Sequence, residues 1–181
     1  MRINIILFTA FILFTTTISS QQIEWLTLAE AIEAQKKIPK KIFMDIYTDW
    51  CGPCKLLDKN TFQNPDVSSY ISEHYYAVKF NAEGQEEINF YNQKFSNPNY
   101  DINRKGRNAT HQFTQFLGVK GYPTMVFISE NGAPIMPVVG YQKPKQLELF
   151  LKMIKQGDYQ IFSKPEDFEN YKKSFIPRFR G

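Results

Sequence analysis

The chain has 181 residues, a formal net charge of +4 and 43% hydrophobic residues, which suits a single domain with a sizeable core. Its charges are scattered, and the one concentrated basic run, Arg104–Arg107, is short, so nucleic acid is not an expected partner. Only two cysteines are present, Cys51 and Cys54, which excludes a framework of several structural disulfides.

The first 20 residues are typical of a signal peptide. Arg2 gives a positive start, Ile3–Phe14 is mostly apolar, and a stretch rich in threonine and serine follows. A membrane span needs about 20 apolar residues, so cleavage after Ser19 or Ser20 is favoured over an uncleaved membrane anchor. Residues 21–181 are then expected to form one periplasmic or secreted domain, with a core over 24–156 and a helical extension over 157–181.

Helices and strands are expected to alternate in the first half of this domain. Thr27 and Glu30 have the spacing of a capping box, which predicts a helix to about Lys37. The apolar run Lys41–Tyr47 is typical of a strand buried on both faces, and the cysteines follow it directly. Further helices are expected over Lys55–Asn60 and from Asn64-Pro65 onward, with a second core strand at Tyr75–Asn81.

The second half is expected to begin with an insertion and to continue with a hairpin. Helices are predicted over Glu86–Phe95 and Thr110–Leu117, with the polar loop Ser96–Asn108 between them. Thr124–Ile128 is an apolar strand, and the Asn131-Gly132 turn predicts an antiparallel return over Pro134–Gly140. The prolines at 134 and 137 place that strand at the sheet edge.

Two further helices are predicted near the C-terminus. Lys143–Lys155 is amphipathic and is closed by Gly157. Ser163–Glu166 has the pattern of a second capping box, with aromatic residues at helical spacing behind it. The whole pattern predicts an α/β fold: a central mixed sheet flanked by helices, an insertion after the second core strand and an extra C-terminal helix.

Three chemical interpretations compete for the cysteine pair. A structural zinc needs about four ligands, and neither His74 nor His111 lies in a pattern that completes a set with the cysteines. A structural disulfide between Cys51 and Cys54 would close only a very short loop, so it would contribute little to the stability of the folded chain. Reversible redox chemistry explains the spacing best. Nothing in the sequence calls for a metal or a cofactor.

The segment Asp49–Lys55, DWCGPCK, contains the motif of the thioredoxin-like family in full. The segment Gly121–Thr124, GYPT, resembles that family's cis-proline segment, and Gly140 lies where the family has a glycine after its last strand. The stretch Met44–Val67 looks closest to the soluble C-terminal domain of the transmembrane thiol:disulfide interchange protein. The resemblance covers roughly residues 24–156 and implies the thioredoxin fold.

The resemblance also implies roles for individual residues. Asp45 matches the family's buried carboxylate, with Lys79 as its partner. The substrate-binding residues are expected to be Trp50, Gly52, Pro53, Tyr122 and Pro123.

The position of the cysteines suggests which of them attacks the substrate disulfide and which resolves the mixed disulfide. Cys51 would lie at a helix N-terminus, which favours the attacking thiolate. Cys54, expected to be the more buried, would resolve the mixed disulfide, and Asp45 would accept its proton.

The Gly52-Pro53 dipeptide favours reduction or isomerisation of protein disulfides. The expected partners are disulfide-bearing exported proteins and, by resemblance only, a membrane thiol electron donor. A disulfide-donating oxidase and a thioredoxin-fold binding module without turnover stay open. The loop Ser96–Asn108 is expected to set partner choice and to leave the chemistry unchanged.

Overall fold

The computed structural model describes residues 22–181, which fold around one five-stranded sheet. The strands are β1 (Trp25–Leu26), β2 (Ile42–Tyr47), β3 (Tyr76–Asn81), β4 (Ile88–Phe90), β5 (Gln93–Phe95), β6 (Thr124–Ile128) and β7 (Pro134–Val139). The helices are α1 (Leu28–Lys37), α2 (Gly52–Leu57), α3 (Pro65–His74), α4 (Gln112–Phe116), α5 (Pro144–Gln156) and α6 (Pro165–Ser174).

The main sheet has the order β1-β3-β2-β6-β7, and the predicted α/β fold with a mixed sheet is confirmed. Strand β2 pairs parallel with β3 and antiparallel with β6, and β7 forms an antiparallel edge as expected. No helix within residues 22–181 combines the length and the hydrophobicity needed to cross a membrane. The predicted signal peptide lies outside the described residues.

The sheet is buried on both faces, and strand alternation decides which face each side chain joins. Ile42, Met44 and Ile46 of β2 pack with α1 and α4 on one side. Phe43 points to the opposite side, where α3 and α5 supply the core. Asp45 has the same parity as Phe43, so its carboxyl faces the layer that holds α3 and α5.

The helix predicted over Glu86–Phe95 is wrong, because this segment forms the hairpin β4–β5. Ile88 and Phe90 are buried while Asn89 between them is exposed, which is the period of a strand. Tyr91 and Asn92 turn the chain with φ values of 47° and 67°. Such left-handed residues are typical of a tight hairpin turn and incompatible with a continuous α-helix.

Three predicted helix boundaries are confirmed by their caps. Thr27 and Glu30 form a reciprocal capping box, and Asn64 Oδ1 accepts hydrogen bonds from two backbone N–H groups of α3. Gly157 ends α5 in the left-handed region with φ 85°.

The capping box predicted at Ser163–Glu166 is wrong by one residue. Lys164 is the N-cap of α6, and Asp167 Oδ2 accepts hydrogen bonds from the backbone N–H groups of Ser163 and Lys164. Pro165 takes the first helical position, which shifts the start of the helix.

The insertion between β3 and α4 is attached to the rest of the domain at several points. Asn97 Nδ2 donates to the carbonyls of Gly84 and Ala109, at 3.0 and 2.7 Å, which closes the base of the loop. At the hairpin tip, the Tyr91 ring lies directly over Gly132 in the β6–β7 turn. A β-carbon at Gly132 would lie only 1.6 Å from Tyr91 Cζ.

The C-terminal tail docks on the face of the domain formed by α3 and α5. Phe168 and Tyr171 of α6 are partly buried against the core, as expected. Beyond the helix, Phe179 is 8% exposed and packs against Tyr70 at 5.7 Å between ring centroids. The backbone N–H groups of Arg178 and Phe179 donate to the buried carboxylate of Glu148, at 2.7 and 2.8 Å. This last contact was not predicted.

Replacing Phe179→Ala should therefore lower the free energy of unfolding by about 2–3 kcal/mol, the cost of losing a buried aromatic side chain at a partly collapsible site. Urea unfolding measures the change. Ile176→Ala is the matched control, because this tail residue is 79% exposed, and its effect should stay within about 0.5 kcal/mol. Equal losses in the two variants would contradict docking of the tail through Phe179.

Candidate active site

Cys51 and Cys54 form a disulfide at the start of α2, with their Cα atoms 5.3 Å apart. Cys51 is the N-cap residue, and its Sγ accepts a hydrogen bond from the backbone N–H of Cys54 at 3.1 Å. Gly52 and Pro53 begin the helix between them and are exposed. Both cysteines are buried in this oxidised form, with 2% of Cys51 and 4% of Cys54 exposed, so the expected difference in burial between them is not seen here.

Three charged side chains form a cluster at the C-terminal end of the redox helix. Asp45 on β2 and Lys79 on β3 are paired in the parallel ladder, and Lys79 Nζ lies 3.3 Å from Asp45 Oδ2. The same ammonium donates to Asp58 Oδ1, in the single π-helical turn Asp58–Phe62 that continues α2. The predicted partners Asp45 and Lys79 are thus in contact, and Asp58 joins them.

Asp58 was missed by the sequence analysis, although a signal was available. It lies four residues after Cys54, which is one helical turn, and so belongs to the inward face of the same helix. What the sequence did not reveal is the approach of the π-helical turn to β3. Aromatic rings of Trp25 and Tyr47 also surround the Lys79 ammonium, each with its centroid 5.1 Å away.

Asp45 is 1% exposed, and within the described residues its Oδ1 atom has no hydrogen-bond partner. Burial raises the pKa of this carboxyl from 3.8 to about 6, because desolvation outweighs the attraction of the Lys79 ammonium. The Asp58 carboxylate acts in the same direction as burial. A carboxyl with a pKa near 6 can both accept and release a proton near neutral pH.

The second wall of the site is the segment before β6. The Tyr122–Pro123 peptide bond is cis, as expected from the family resemblance, and Pro123 is buried. Thr124, the next residue, pairs with Ile46 near the end of β2 that leads to Cys51. The Tyr122 ring meets the Trp50 ring edge to face at 5.9 Å, which places this segment beside the redox motif.

Trp50 also contacts the insertion, which brings the loop Ser96–Asn108 beside the redox motif. That this loop sets partner choice and leaves the chemistry unchanged stays a prediction. The Trp50 indole N–H donates to Glu83 Oε2 at 2.9 Å, and the Arg107 guanidinium lies 4.3 Å from the centroid of the indole. The backbone N–H of Asn108 donates to the same Glu83 oxygen at 2.8 Å. Trp50 itself is 37% exposed, so it remains accessible to a substrate.

The two histidines occupy the ends of two helices. His74 ends α3, and His111 is fully buried as the N-cap of α4. His111 Nδ1 accepts from the backbone N–H of Phe113, and burial lowers the pKa of the imidazole. His111 Nε2 is also hydrogen-bonded to the Glu86 carbonyl at 2.7 Å, so His111 has a structural role in holding the insertion against α4.

Residues 28–155 match the family described as thioredoxin-like domain. The thiol:disulfide interchange protein DsbD of Pectobacterium atrosepticum is 28% identical over 127 residues, and that of Tatumella citrea is 28% identical over 134 residues. These alignments cover 69% and 71% of this chain but only 18% and 19% of the relatives. The chain thus spans about a fifth of the length of these curated relatives.

Solved structures show the same fold. A thioredoxin-fold protein from Helicobacter pylori aligns with a TM-score of 0.59 and 23% identity, covering 75% of this chain and 81% of that protein. A thioredoxin from Thermus thermophilus aligns with a TM-score of 0.55 and 15% identity, covering 74% and 87%. Since the family match spans most of the chain and includes the cysteine pair, this protein belongs to the thioredoxin-like domain family.

Proposed function

We propose that the protein is an exported oxidoreductase that reduces or isomerises disulfides in other exported proteins. The observation that carries the proposal is the Cys51–Cys54 pair at the start of α2, together with the buried Asp45, which Lys79 links to Asp58 one turn after Cys54. A dithiol that attacks, resolves and exchanges a proton with a nearby carboxyl is sufficient for disulfide exchange. Export is proposed from the signal-peptide pattern of residues 1–20.

In the proposed mechanism, the Cys51 thiolate attacks one sulfur of a substrate disulfide and expels the other as a thiolate. The Cys54 thiol then loses its proton to Asp45, and its sulfur attacks Cys51. The substrate leaves reduced, and Cys51 and Cys54 end as the disulfide seen in this structure. Each cycle transfers two electrons from the protein to the substrate, so the pair must be reduced again before the next cycle.

The direction of exchange is proposed from the Gly52-Pro53 dipeptide, which resembles that of reducing thioredoxins. An exported reductase needs electrons from a source that survives in an oxidising compartment. A membrane thiol protein is the proposed donor, on the grounds of the similarity to DsbD, whose name describes thiol:disulfide interchange.

Equilibration of the Cys51–Cys54 pair with glutathione buffers tests the direction. A potential near that of thioredoxin, about −270 mV, is expected, whereas a value near −120 mV would identify a disulfide donor. Insulin reduction with dithiothreitol as electron source tests turnover. Absence of turnover by the reduced, folded protein would overturn the proposal in favour of a binding module.

A further inference from the structure

We propose that Glu83 and Arg107 hold Trp50 in a clasp, which makes the insertion one wall of the substrate groove. Through this clasp, Arg107 determines specificity for polypeptide disulfides over small ones. The inference deepens the proposed function and rests on it.

The clasp restricts the Trp50 indole from three directions. Its N–H group is hydrogen-bonded to Glu83, one edge-to-face contact joins it to Tyr122, and the Arg107 guanidinium lies above the ring. A guanidinium at this distance from an indole is attracted by the ring electrons. With these three contacts in place, the indole has little freedom to move away from the redox motif.

The loop that presents Arg107 is itself held in place. Asn97 closes its base, and Asn108 and Asp101 exchange hydrogen bonds across it. Gly106 adopts φ 87°, a left-handed conformation that turns the chain immediately before Arg107. Glu83 Oε2 accepts hydrogen bonds from both the indole N–H of Trp50 and the backbone N–H of Asn108, so the loop and the tryptophan share one acceptor.

A groove of about 380 Å³ lies between this loop and the redox motif, beside Trp50. Its lining is rich in hydrogen-bonding groups, among them Asp49, Asn81, Tyr100 and Arg104. Arg104 forms no salt bridge within the described residues, so its guanidinium group is available to a ligand in the groove, whereas Arg107 acts on the groove through Trp50. Such a lining suits a polar, extended polypeptide segment that flanks a disulfide. A small disulfide would reach Cys51 without entering the groove.

The test compares two substrates on matched variants. Arg107→Ala should raise the KM for insulin about fivefold, in line with the loss of one cation–π contact. The same variant should leave kcat/KM for bis(2-hydroxyethyl) disulfide within about twofold of the parent value.

Lys105→Ala is the control, because it removes one positive charge from the same exposed loop. Its KM and kcat should match those of the parent on both substrates. Arg107→Lys keeps a cation over the ring, so its KM for insulin should lie between those of the parent and Arg107→Ala.

A spectroscopic readout separates positioning from a purely structural effect. The Trp50 indole N–H resonance, assigned by its loss in Trp50→Phe, should shift in Arg107→Ala and stay unchanged in Lys105→Ala. If Arg107→Ala does not fold, Arg107→Gln repeats the test with a side chain of similar length and no charge. Equal effects on both substrates, or no effect on either, would overturn the clasp. A folded parent protein that reduces neither substrate would instead overturn the proposed function.

Discussion

Cys54→Ala is expected to accumulate mixed disulfides with its partners, while Cys51→Ala traps almost none. Cys51 is the N-cap of α2, where its sulfur already accepts the Cys54 backbone N–H. A thiolate at that position is stabilised by the same donor and by the helix N-terminus. Without Cys54, the mixed disulfide on Cys51 has no internal thiol to resolve it.

Both single variants should lose insulin turnover by at least about hundredfold, because the two thiols act as one unit. Trapped partners are measured on non-reducing gels, with release by dithiothreitol as the check that they are disulfide-linked. The Cys51→Ala/Cys54→Ala double variant supplies the background. Equal trapping by the two single variants would show that the assignment of Cys51 as the nucleophile is wrong.

Asp45→Asn is expected to stabilise the oxidised protein at pH 7.5 and to leave its stability nearly unchanged at pH 3.5. The folded carboxyl has a pKa of about 6 against 3.8 for its ordinary value. Between these values the folded state binds a proton that the unfolded state has lost, so the stability of the parent falls as pH rises. The gain at pH 7.5 should reach about 3 kcal/mol at most. Lys79 keeps Asp58 as a partner in the variant.

Urea unfolding at the two pH values measures this effect. Glu87→Gln is the matched control, because it also neutralises one carboxylate but at an exposed position outside this cluster, and its effect should stay within about 0.5 kcal/mol. Asp45→Asn should also slow insulin turnover about tenfold or more, since the proton acceptor for Cys54 is lost. The inflection near pH 6 in the parent's rate profile should disappear. A variant that is less stable than the parent at pH 7.5 would contradict the burial of a charged Asp45.

Much of the core and the redox site could be predicted because local signals and the fold agree there. The apolar run of β2 is buried along almost its whole length, and the Asn131-Gly132 turn leads into an antiparallel edge strand. Cys51, Pro123 and the Asp45–Lys79 pair occupy the places that the family resemblance implies. These features depend on short stretches of sequence, whose geometry is decided by helix caps, strand parity and turn chemistry.

The insertion could not be predicted in the same way. Ile88, Tyr91 and Phe95 have the i, i+3, i+7 spacing of one helical face, while Ile88 and Phe90 have the spacing of a strand, so the apolar pattern alone does not separate a helix from a hairpin. What decides is tertiary: Phe90 and Phe95 pack on Phe113, with ring centroids 5.2 and 5.3 Å away. Arg107 and Trp50 are 57 positions apart in the chain, so no local sequence pattern predicts their contact.

The packing of the Tyr91 ring against Gly132 has a consequence for chimaeric proteins. Besides their packing on α4, residues 83–109 touch the host domain at the redox motif and at the β6–β7 turn. If this segment were transferred to a shorter thioredoxin, it would supply Arg107 and Tyr91, and the recipient would have to supply the residues that correspond to Trp50 and Gly132. Any recipient with a side chain at the position of Gly132 would displace the hairpin tip, so the donor segment and that glycine must be moved together.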